Sequence, residues 1–167
     1  MAGKAIESVP RMRVNWAVLA ELERKMAGRV KYELGAKARI LSRQAAEITS
    51  LDCSGFVQYV VFKVCGLTIP EGSVQQREWL EKLKYHRVSY AQTARLRDGV
   101  LRLAFIPPSA GKHGHVWFVL NGRTIECYSG GGVNNRAWWT PKLKNAVTAC
   151  FEIGGGLGSG THADLQP

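Results

Sequence analysis

The chain has 167 residues, of which 46% are hydrophobic and 22% are charged. This length suits one domain with one core, and this composition excludes a collagen-like chain, a disordered polar chain and a disulfide-packed miniprotein. Lys and Arg (23) exceed Asp and Glu (13) by ten, which predicts attraction to an anionic partner such as nucleic acid, a membrane face or bacterial wall polymer. The charge does not choose among these partners, and a solvated basic face explains it equally well.

The four cysteines are widely separated and form neither a CxxC pair nor a zinc-like spacing with histidine. We therefore expect no metal site and no cofactor. Residues 1–13 lack the apolar stretch of a secretory signal, and no window approaches the roughly 18 apolar residues of a membrane span. We expect a soluble protein that is synthesised in the cytoplasm without a signal peptide.

The first predicted element is an amphipathic helix over residues 15–27, with Asn15 as its N-cap and Gly28 as its stop. Its apolar positions recur at spacings of three and four: Val18, Leu19, Leu22 and Met26. Residues 30–50 show no firm period. We interpret them as a loop that contains at most one helical turn and carries Tyr32 near its start.

The segment CSGFVQYVVFKVC, residues 53–65, is apolar on nearly every side and is followed by Gly66, a common helix terminator. Its β-branched residues also permit a strand, but thirteen residues are long for a strand, so we predict a buried helix. A further helix is predicted after Ser73 as N-cap, with three side chains facing inward: Val74, Leu80 and Leu83.

Beyond about residue 95 the chain consists of short runs rich in β-branched and aromatic residues: VLRLAFI, HVWFVLNGRTIECYS and AVTACFEI. We predict strands here, with a hairpin at Asn121-Gly122. Helices followed by an antiparallel sheet make an α+β domain. We expect a single domain over 1–153, with a basic helical segment at about 1–29, a core at about 30–153 and a flexible Gly-rich tail at 154–167.

Asp52-Cys53-Ser54-Gly55 lies where loop becomes helix, which places Cys53 in the first helical turn. Unpaired N–H groups and the helix dipole favour an anion at that position, and the thiolate is the nucleophilic form of cysteine. Gly55 allows other backbone to approach closely. Cys53 is therefore a candidate catalytic nucleophile, and a buried structural cysteine is the alternative.

A cysteine nucleophile needs a base, and the chain has four histidines: His86, His113, His115 and His162. His162 lies in the predicted tail and His86 in a polar loop. His115 opens the strand HVWFVL, from which a rigid element could direct its ring at the helix N-terminus. We therefore choose His115 as the base and keep His113, two residues earlier and on the same strand face, as the second candidate.

An imidazole base usually has a partner on its other ring nitrogen. The strand after Asn121-Gly122 returns beside the His115 strand, and Glu126 is an acid in its otherwise apolar run. Glu126 could reach His115 across the strand pair, which makes it the candidate orienting residue. An exposed Glu on a half-solvated sheet is the alternative.

The string LDCSGFVQYVVFKVCGLTIP, followed some sixty residues later by GHVWFVLNGRTIE, resembles the papain-like NlpC-type peptidases that cut bacterial peptidoglycan. The resemblance covers about residues 30–135, and DCSGFV is its specific part. The chain is also similar to the amidase effectors of type VI secretion and to phage endolysins. Arg97-Asp98-Gly99-Val100 replaces the family's Pro-Gly-Asp-Leu turn, and Glu126 stands where the family often has His.

The resemblance implies an NlpC-type papain-like α+β fold and a cysteine endopeptidase or amidase that cleaves the peptidoglycan stem peptide. The γ-D-glutamyl-diaminopimelate bond is the favoured target. It implies Cys53, His115 and Glu126 as catalytic residues, with Tyr32, Asp52 and Ser54 at the substrate or oxyanion. It further implies action on the cell wall or periplasm after delivery, and an immunity or delivery protein as a partner.

Two rival functions stay open at the level of sequence. One is an acyltransferase of the same fold, which would use the same thioester with a different acceptor. The other is a non-enzymatic basic module that binds wall polymer or nucleic acid, although nucleic acid is not the partner that the resemblance favours.

Overall fold

Helices occupy the first part of the chain and strands the second in the computed structural model, which describes residues 10–89, 93, 96–136, 146–147 and 149–155. The helices are α1 (Trp16–Met26), α2 (Cys53–Cys65) and α3 (Ser73–Lys82). The strands are β1 (Lys31–Tyr32), β2 (Ser50–Leu51), β3 (Arg87–Val88), β4 (Val100–Ile106), β5 (His115–Leu120), β6 (Arg123–Tyr128), β7 (Gly132–Asn134) and β8 (Ala149–Gly155). A 3₁₀ turn spans Ala45–Glu47.

Six strands form an antiparallel sheet in the order β3-β8-β4-β5-β6-β7. The predicted hairpin is present between β5 and β6, where Asn121 and Gly122 have φ values of 47° and 78°, the left-handed conformation that a tight two-residue turn requires. The helices pack on one face of this sheet. The predicted α+β fold class is thus confirmed.

The two predicted N-terminal helices are also confirmed. The Asn15 side chain accepts a hydrogen bond from the backbone N–H of Val18 at 3.2 Å and so caps α1. Helix α2 ends at Gly66, whose φ of 69° is left-handed. The ring of Phe56 in α2 meets Phe118 of β5 edge-on, with centroids 6.2 Å apart, so α2 is anchored on the centre of the sheet.

The predicted N-cap of α3 is wrong, and two of the three side chains that were predicted to face inward are exposed. Its N-cap is Gly72, and Val74 and Leu83 are 38% and 44% exposed. Besides Leu80, the buried side chain is Gln76, which is 1% exposed. Its amide donates to the carbonyls of Ser54 at 2.9 Å and Pro70 at 3.0 Å, so these hydrogen bonds, together with the burial of Leu80, fix this helix beside the start of α2.

The segment 30–50 contains two short strands that the sequence pattern did not predict. Strands β1 and β2 pair in parallel, and Tyr32 lies opposite Leu51. The Sγ of Cys127 on β6 lies 3.9 Å from the Lys31 carbonyl and 3.2 Å from the Leu51 carbonyl. This packing ties the approach to α2 to the main sheet. Strands β3 and β7 were likewise not predicted.

The predicted tail begins two residues too early, because β8 continues through Gly155. Gly154 pairs with Leu101 and Gly155 with Val100 across β4 and β8. Residues 156–167 and 1–9 lie outside the described residues, so the rest of the predicted tail and the start of the basic segment stay predictions. No helix in the described part of the chain is long and apolar enough to cross a membrane.

A buried network of ion pairs joins strands β4 and β8 of the sheet. Arg102 of β4 is 2% exposed, and its guanidinium donates to both carboxylate oxygens of Asp98 at 2.6 and 2.9 Å and to Glu152 of β8 at 2.9 Å. Burial opposes the charge of Arg102, but these hydrogen bonds raise its pKa. The network therefore joins β4 to β8 and depends on the cation.

We predict that Arg102→Ala lowers the free energy of unfolding by about 3 kcal/mol, since it leaves a buried gap and removes the cation from Asp98. Among the described residues, Glu152 would keep only Arg11 and His86 as partners. Urea unfolding followed by circular dichroism measures the change. Arg24→Ala, on the exposed side of α1, is the matched control and should change stability by less than about 0.5 kcal/mol. Equal effects of the two substitutions would contradict a structural role for the network.

Candidate active site

The Asp52 carboxylate caps the N-terminus of α2. Its Oδ1 accepts hydrogen bonds from the backbone N–H of Gly55 at 2.6 Å and from the Ser54 hydroxyl at 3.1 Å. Its Oδ2 accepts from the backbone N–H of Gly35 at 3.1 Å and from the ammonium of Lys37. Both oxygens are thus used within the fold, and they fix the first helical turn to the preceding loop.

Cys53 is the first residue of α2 and is 6% exposed. Its Sγ lies 4.0 Å from the carbonyl oxygen of Gly114, directly before β5. A Cβ at Gly55 would lie 2.6 Å from the carbonyl oxygen of Ala36, so glycine permits the close approach of this loop to the helix. The helix therefore places the thiol at the start of the β5 strand, within the positive end of its dipole.

His115 faces both Cys53 and Glu126. Its Nε2 lies 2.8 Å from Oε2 of Glu126, which leaves Nδ1 for the thiol. Burial lowers the pKa of His115, but hydrogen bonds with Cys53 and Glu126 and the charges of the same two groups outweigh burial and raise it to about 9. The arrangement thus favours the imidazolium form of His115 near neutral pH.

Glu126 is 1% exposed and makes four polar contacts. Besides His115, the Thr124 hydroxyl donates to Oε1 at 2.7 Å, and the guanidinium of Arg136 donates to Oε1 at 2.8 Å and to Oε2 at 2.9 Å. Burial raises the pKa of Glu126, but these hydrogen bonds outweigh it and lower the pKa to about 2. The carboxylate is therefore ionised at any pH near neutral.

Two partners of this cluster were not predicted from the sequence. Arg136 is one of 23 basic residues and lies just beyond β7, where no periodic pattern marks it. The Trp117 ring stacks on the His115 ring, with centroids 5.0 Å apart and planes 27° apart. The alternation of β5 places residues 115 and 117 on one face, so this contact could have been inferred from the strand pattern.

Tyr32 of β1 is half-buried and lies near the thiol. Burial raises the pKa of its hydroxyl, and the neighbouring Cys53 and Asp52 raise it further. The phenol is therefore a neutral hydrogen-bond donor beside Cys53. The structure brings Tyr32, Cys53, His115 and Glu126 together.

Asp52 and Ser54 fit a different role from the substrate or oxyanion contact expected from the resemblance. Both side chains are buried, at 6% and 4% exposed, and the Ser54 hydroxyl donates to Asp52. The Ser54 carbonyl accepts from the Gln76 amide. Since these groups are occupied by contacts inside the fold, we interpret them as residues that position the helix N-terminus.

The other histidines lie elsewhere. His113 is exposed, and His86 is 54% exposed with its Nδ1 3.0 Å from Glu152, at the far end of the sheet. His162 lies outside the described residues. In the described ranges, no group of three or more His, Cys, Asp or Glu side chains could hold a metal ion.

Comparison with known proteins connects this geometry to a family. Residues 28–150 match the NlpC/P60 family. No curated protein matches the chain. Solved structures that share the fold include the following two. A protein described as similar to a lipoprotein of the NLP/P60 family, from Staphylococcus aureus, has a TM-score of 0.59 and 18% identity, and the match covers 90% of this chain and 46% of that one.

An NlpC/P60 family protein from Bacillus cereus has a TM-score of 0.58 and 20% identity, and the match covers 86% of this chain and 42% of that one. The chain thus spans less than half the length of the two proteins. The matched range includes both Cys53 and His115. The chain belongs to the NlpC/P60 family, whose members are generally cell-wall peptidases and typically cysteine peptidases.

Proposed function

We propose that the protein is a peptidoglycan hydrolase that cleaves an amide bond of the stem peptide through the Cys53 thiolate. The observation that carries the proposal is the line of three groups from the N-terminus of α2 to β6. Cys53 faces His115, whose Nε2 is hydrogen-bonded to Glu126 at 2.8 Å. A thiol, an imidazole and an orienting group in this order are the elements of nucleophilic acyl transfer.

His115 enters the reaction as an imidazolium near neutral pH, because its pKa is raised to about 9, and the thiolate is the attacking form of Cys53 in this proposal. The Sγ of Cys53 attacks the substrate carbonyl carbon and forms a tetrahedral intermediate. The carbon–nitrogen bond then breaks as His115 Nδ1 gives its proton to the leaving amine. The products of this half-reaction are a free amine and a thioester on Cys53.

Water completes the reaction. The neutral His115 takes one proton from the water through Nδ1 as the water oxygen bonds to the thioester carbon, and the carbon–sulfur bond then breaks to give the Cys53 thiolate and a carboxylic acid, which loses its proton to solvent. Glu126 keeps its hydrogen bond to Nε2 throughout and stabilises the imidazolium at each stage. At the end of the cycle Cys53 is again a thiolate and His115 is again an imidazolium.

The negative charge of the tetrahedral oxygen needs hydrogen-bond donors. The backbone N–H of Cys53 belongs to the first turn of α2, where N–H groups have no helical acceptor. The neutral phenol of Tyr32 supplies a second donor close to the same thiol. We assign these two groups to the oxyanion.

The substrate we propose is the stem peptide, with the γ-D-glutamyl-diaminopimelate bond as its favoured target. The net charge of +10 supports a substrate bond that belongs to an anionic polymer. The protein would reach the wall or periplasm after delivery, as an endolysin or a secreted effector would. An immunity or delivery protein would then be its protein partner.

We predict that Cys53→Ala abolishes cleavage of purified peptidoglycan while the protein stays folded, because the sulfur forms the covalent bond. Mass analysis of the released fragments measures cleavage and identifies the bond, since a hydrolysed amide adds one water. A fragment joined to an added amine would instead indicate acyl transfer. Turnover by Cys53→Ala within tenfold of wild type would contradict the mechanism.

His115→Ala should lower kcat/KM by at least about a hundredfold, the scale of general acid–base catalysis. His113→Ala is the matched control, because His113 is exposed and lies two residues away on the approach to the same strand. It should keep the wild-type rate on a soluble muropeptide. An inactive His113 variant beside an active His115 variant would reverse the assignment.

The rate should fall as pH rises through about 9. The imidazolium, which donates the proton to the leaving amine, predominates below the raised pKa of His115 and is lost above it. Initial rates on a soluble muropeptide between pH 6 and 10 measure this alkaline limb. Glu126→Gln should move it toward the ordinary histidine pKa of about 6.5, since the carboxylate helps to raise the value. A wild-type limb already near 6.5 would contradict the ion pair.

A further inference from the structure

The carboxylate of Glu126 is saturated with hydrogen bonds. Each oxygen accepts two: Oε1 from Thr124 and Arg136, and Oε2 from Arg136 and His115. Arg136 contributes two of the four through Nε and Nη2, at 2.8 and 2.9 Å, which is the geometry of a fork-shaped bidentate pair. A carboxylate held in this way cannot turn away from His115.

The backbone of Arg136, just beyond β7, is hydrogen-bonded to Thr124 of β6. Its backbone N–H donates to the Thr124 hydroxyl at 3.0 Å, and its carbonyl accepts from the Thr124 N–H at 2.8 Å. Its guanidinium carbon lies 3.8 Å from the centre of the Tyr128 ring, within cation–π range. The guanidinium is thus fixed from two sides, although its side chain is 45% exposed.

From these contacts we infer that Arg136 is a positioning residue, which holds Glu126 as an ionised acceptor and so fixes the ring nitrogen that His115 presents to Cys53. The inference rests on the proposed pairing of Cys53 with His115. In the part of the chain that the structure describes, the guanidinium of Arg136 contacts Glu126 and Tyr128 and acts on the imidazole through Glu126.

The physical reason lies in the step at which His115 is neutral. A carboxylate that is 1% exposed and faces a neutral imidazole would favour the protonated form, because burial penalises its charge. A protonated Glu126 could donate to Nε2, and the ring proton would then move to Nδ1, where it blocks acceptance of a proton from water. The cation of Arg136 opposes this change and keeps the proton on Nε2.

The charges around the cluster come from several elements. Within the described part of the chain, Glu126 faces His115 of β5 and Arg136 beyond β7. Its charge also raises the pKa of Cys127 of β6. Cys53 of α2 acts on the cluster through His115. Burial raises the pKa of the Cys127 thiol to about 12, so it stays neutral and leaves Arg136 to balance the carboxylate.

The test uses the tautomer of His115 and the reactivity of Cys53, neither of which requires a substrate. Nitrogen NMR of histidine-labelled protein in the Cys53→Ala background reports which ring nitrogen carries the proton. The pH dependence of alkylation by iodoacetamide reports the thiolate. Burial raises the pKa of the other thiols to about 11 for Cys65 and about 12 for Cys127 and Cys150, so alkylation near neutral pH reports Cys53.

We expect the Nε2–H tautomer with Arg136 present and a shift toward Nδ1–H in Arg136→Gln. The alkylation rate near pH 6 should fall at least about tenfold in that variant, with its acid limb moved to higher pH. Arg136→Lys keeps the charge and should recover part of the rate. It also serves as the second variant if Arg136→Gln does not fold at the assay temperature.

Arg123→Gln is the matched control. Arg123 lies on β6, is 41% exposed against 45% for Arg136, and likewise forms a bidentate pair with a carboxylate, Glu23 of α1. The Arg123→Gln substitution should leave both the His115 tautomer and the pH dependence of Cys53 alkylation unchanged. A wild-type tautomer and alkylation profile in folded Arg136→Gln would overturn the inference. An altered profile in a protein whose wild type does not cut peptidoglycan would support the inference and refute the proposed function.

Discussion

The cap that Asp52 forms on α2 is the interaction on which the site depends. The carboxylate receives the first-turn N–H of Gly55 and also the N–H of Gly35 and the ammonium of Lys37. One side chain thus joins the helix that bears Cys53 to the loop that follows Tyr32. The start of the helix and the loop are both bonded to the Asp52 carboxylate. The position of the Cys53 thiol relative to the Tyr32 phenol is therefore fixed.

The sheet supplies the other half of the site through the register of the β5–β6 hairpin. Phe118 pairs with Ile125 and Val119 with Thr124, and continuation of this register places Glu126 diagonally across from His115. The inward face of the same strands packs on α2, since Phe118 meets Phe56. Apolar packing between the hairpin and α2 therefore fixes the two strands. The fixed strands in turn set the distance between His115 and Glu126 on the opposite face.

Local pattern was enough to predict the elements that carry the site. The apolar run from Cys53, the Gly66 terminator and the Asn121-Gly122 turn each act through a few neighbouring residues, so α2 and the hairpin could be read from the sequence. The alternation of β6 also brought Glu126 to the face of His115. These features need no knowledge of distant contacts.

The remaining features depend on contacts that are far apart in the chain. The pairing of Tyr32 with Leu51 has no periodic signature in strands of two residues. Gln76 is buried by hydrogen bonds to two carbonyls, which a pattern of apolar residues cannot indicate. Arg136 lies within reach of Glu126 because β7, which precedes it in the chain, pairs with β6. The tertiary fold, not local propensity, decides each of these positions.

The stacking of Trp117 on His115 has an optical consequence. The two rings lie 5.0 Å apart and nearly parallel, so the excited indole is in direct contact with the imidazole. An imidazolium accepts an electron from an excited indole far more readily than a neutral imidazole does, and electron transfer of this kind quenches fluorescence. The emission of Trp117 therefore depends on the protonation of the neighbouring ring, and the protein carries within its own sheet a chromophore that senses the charge state of the site.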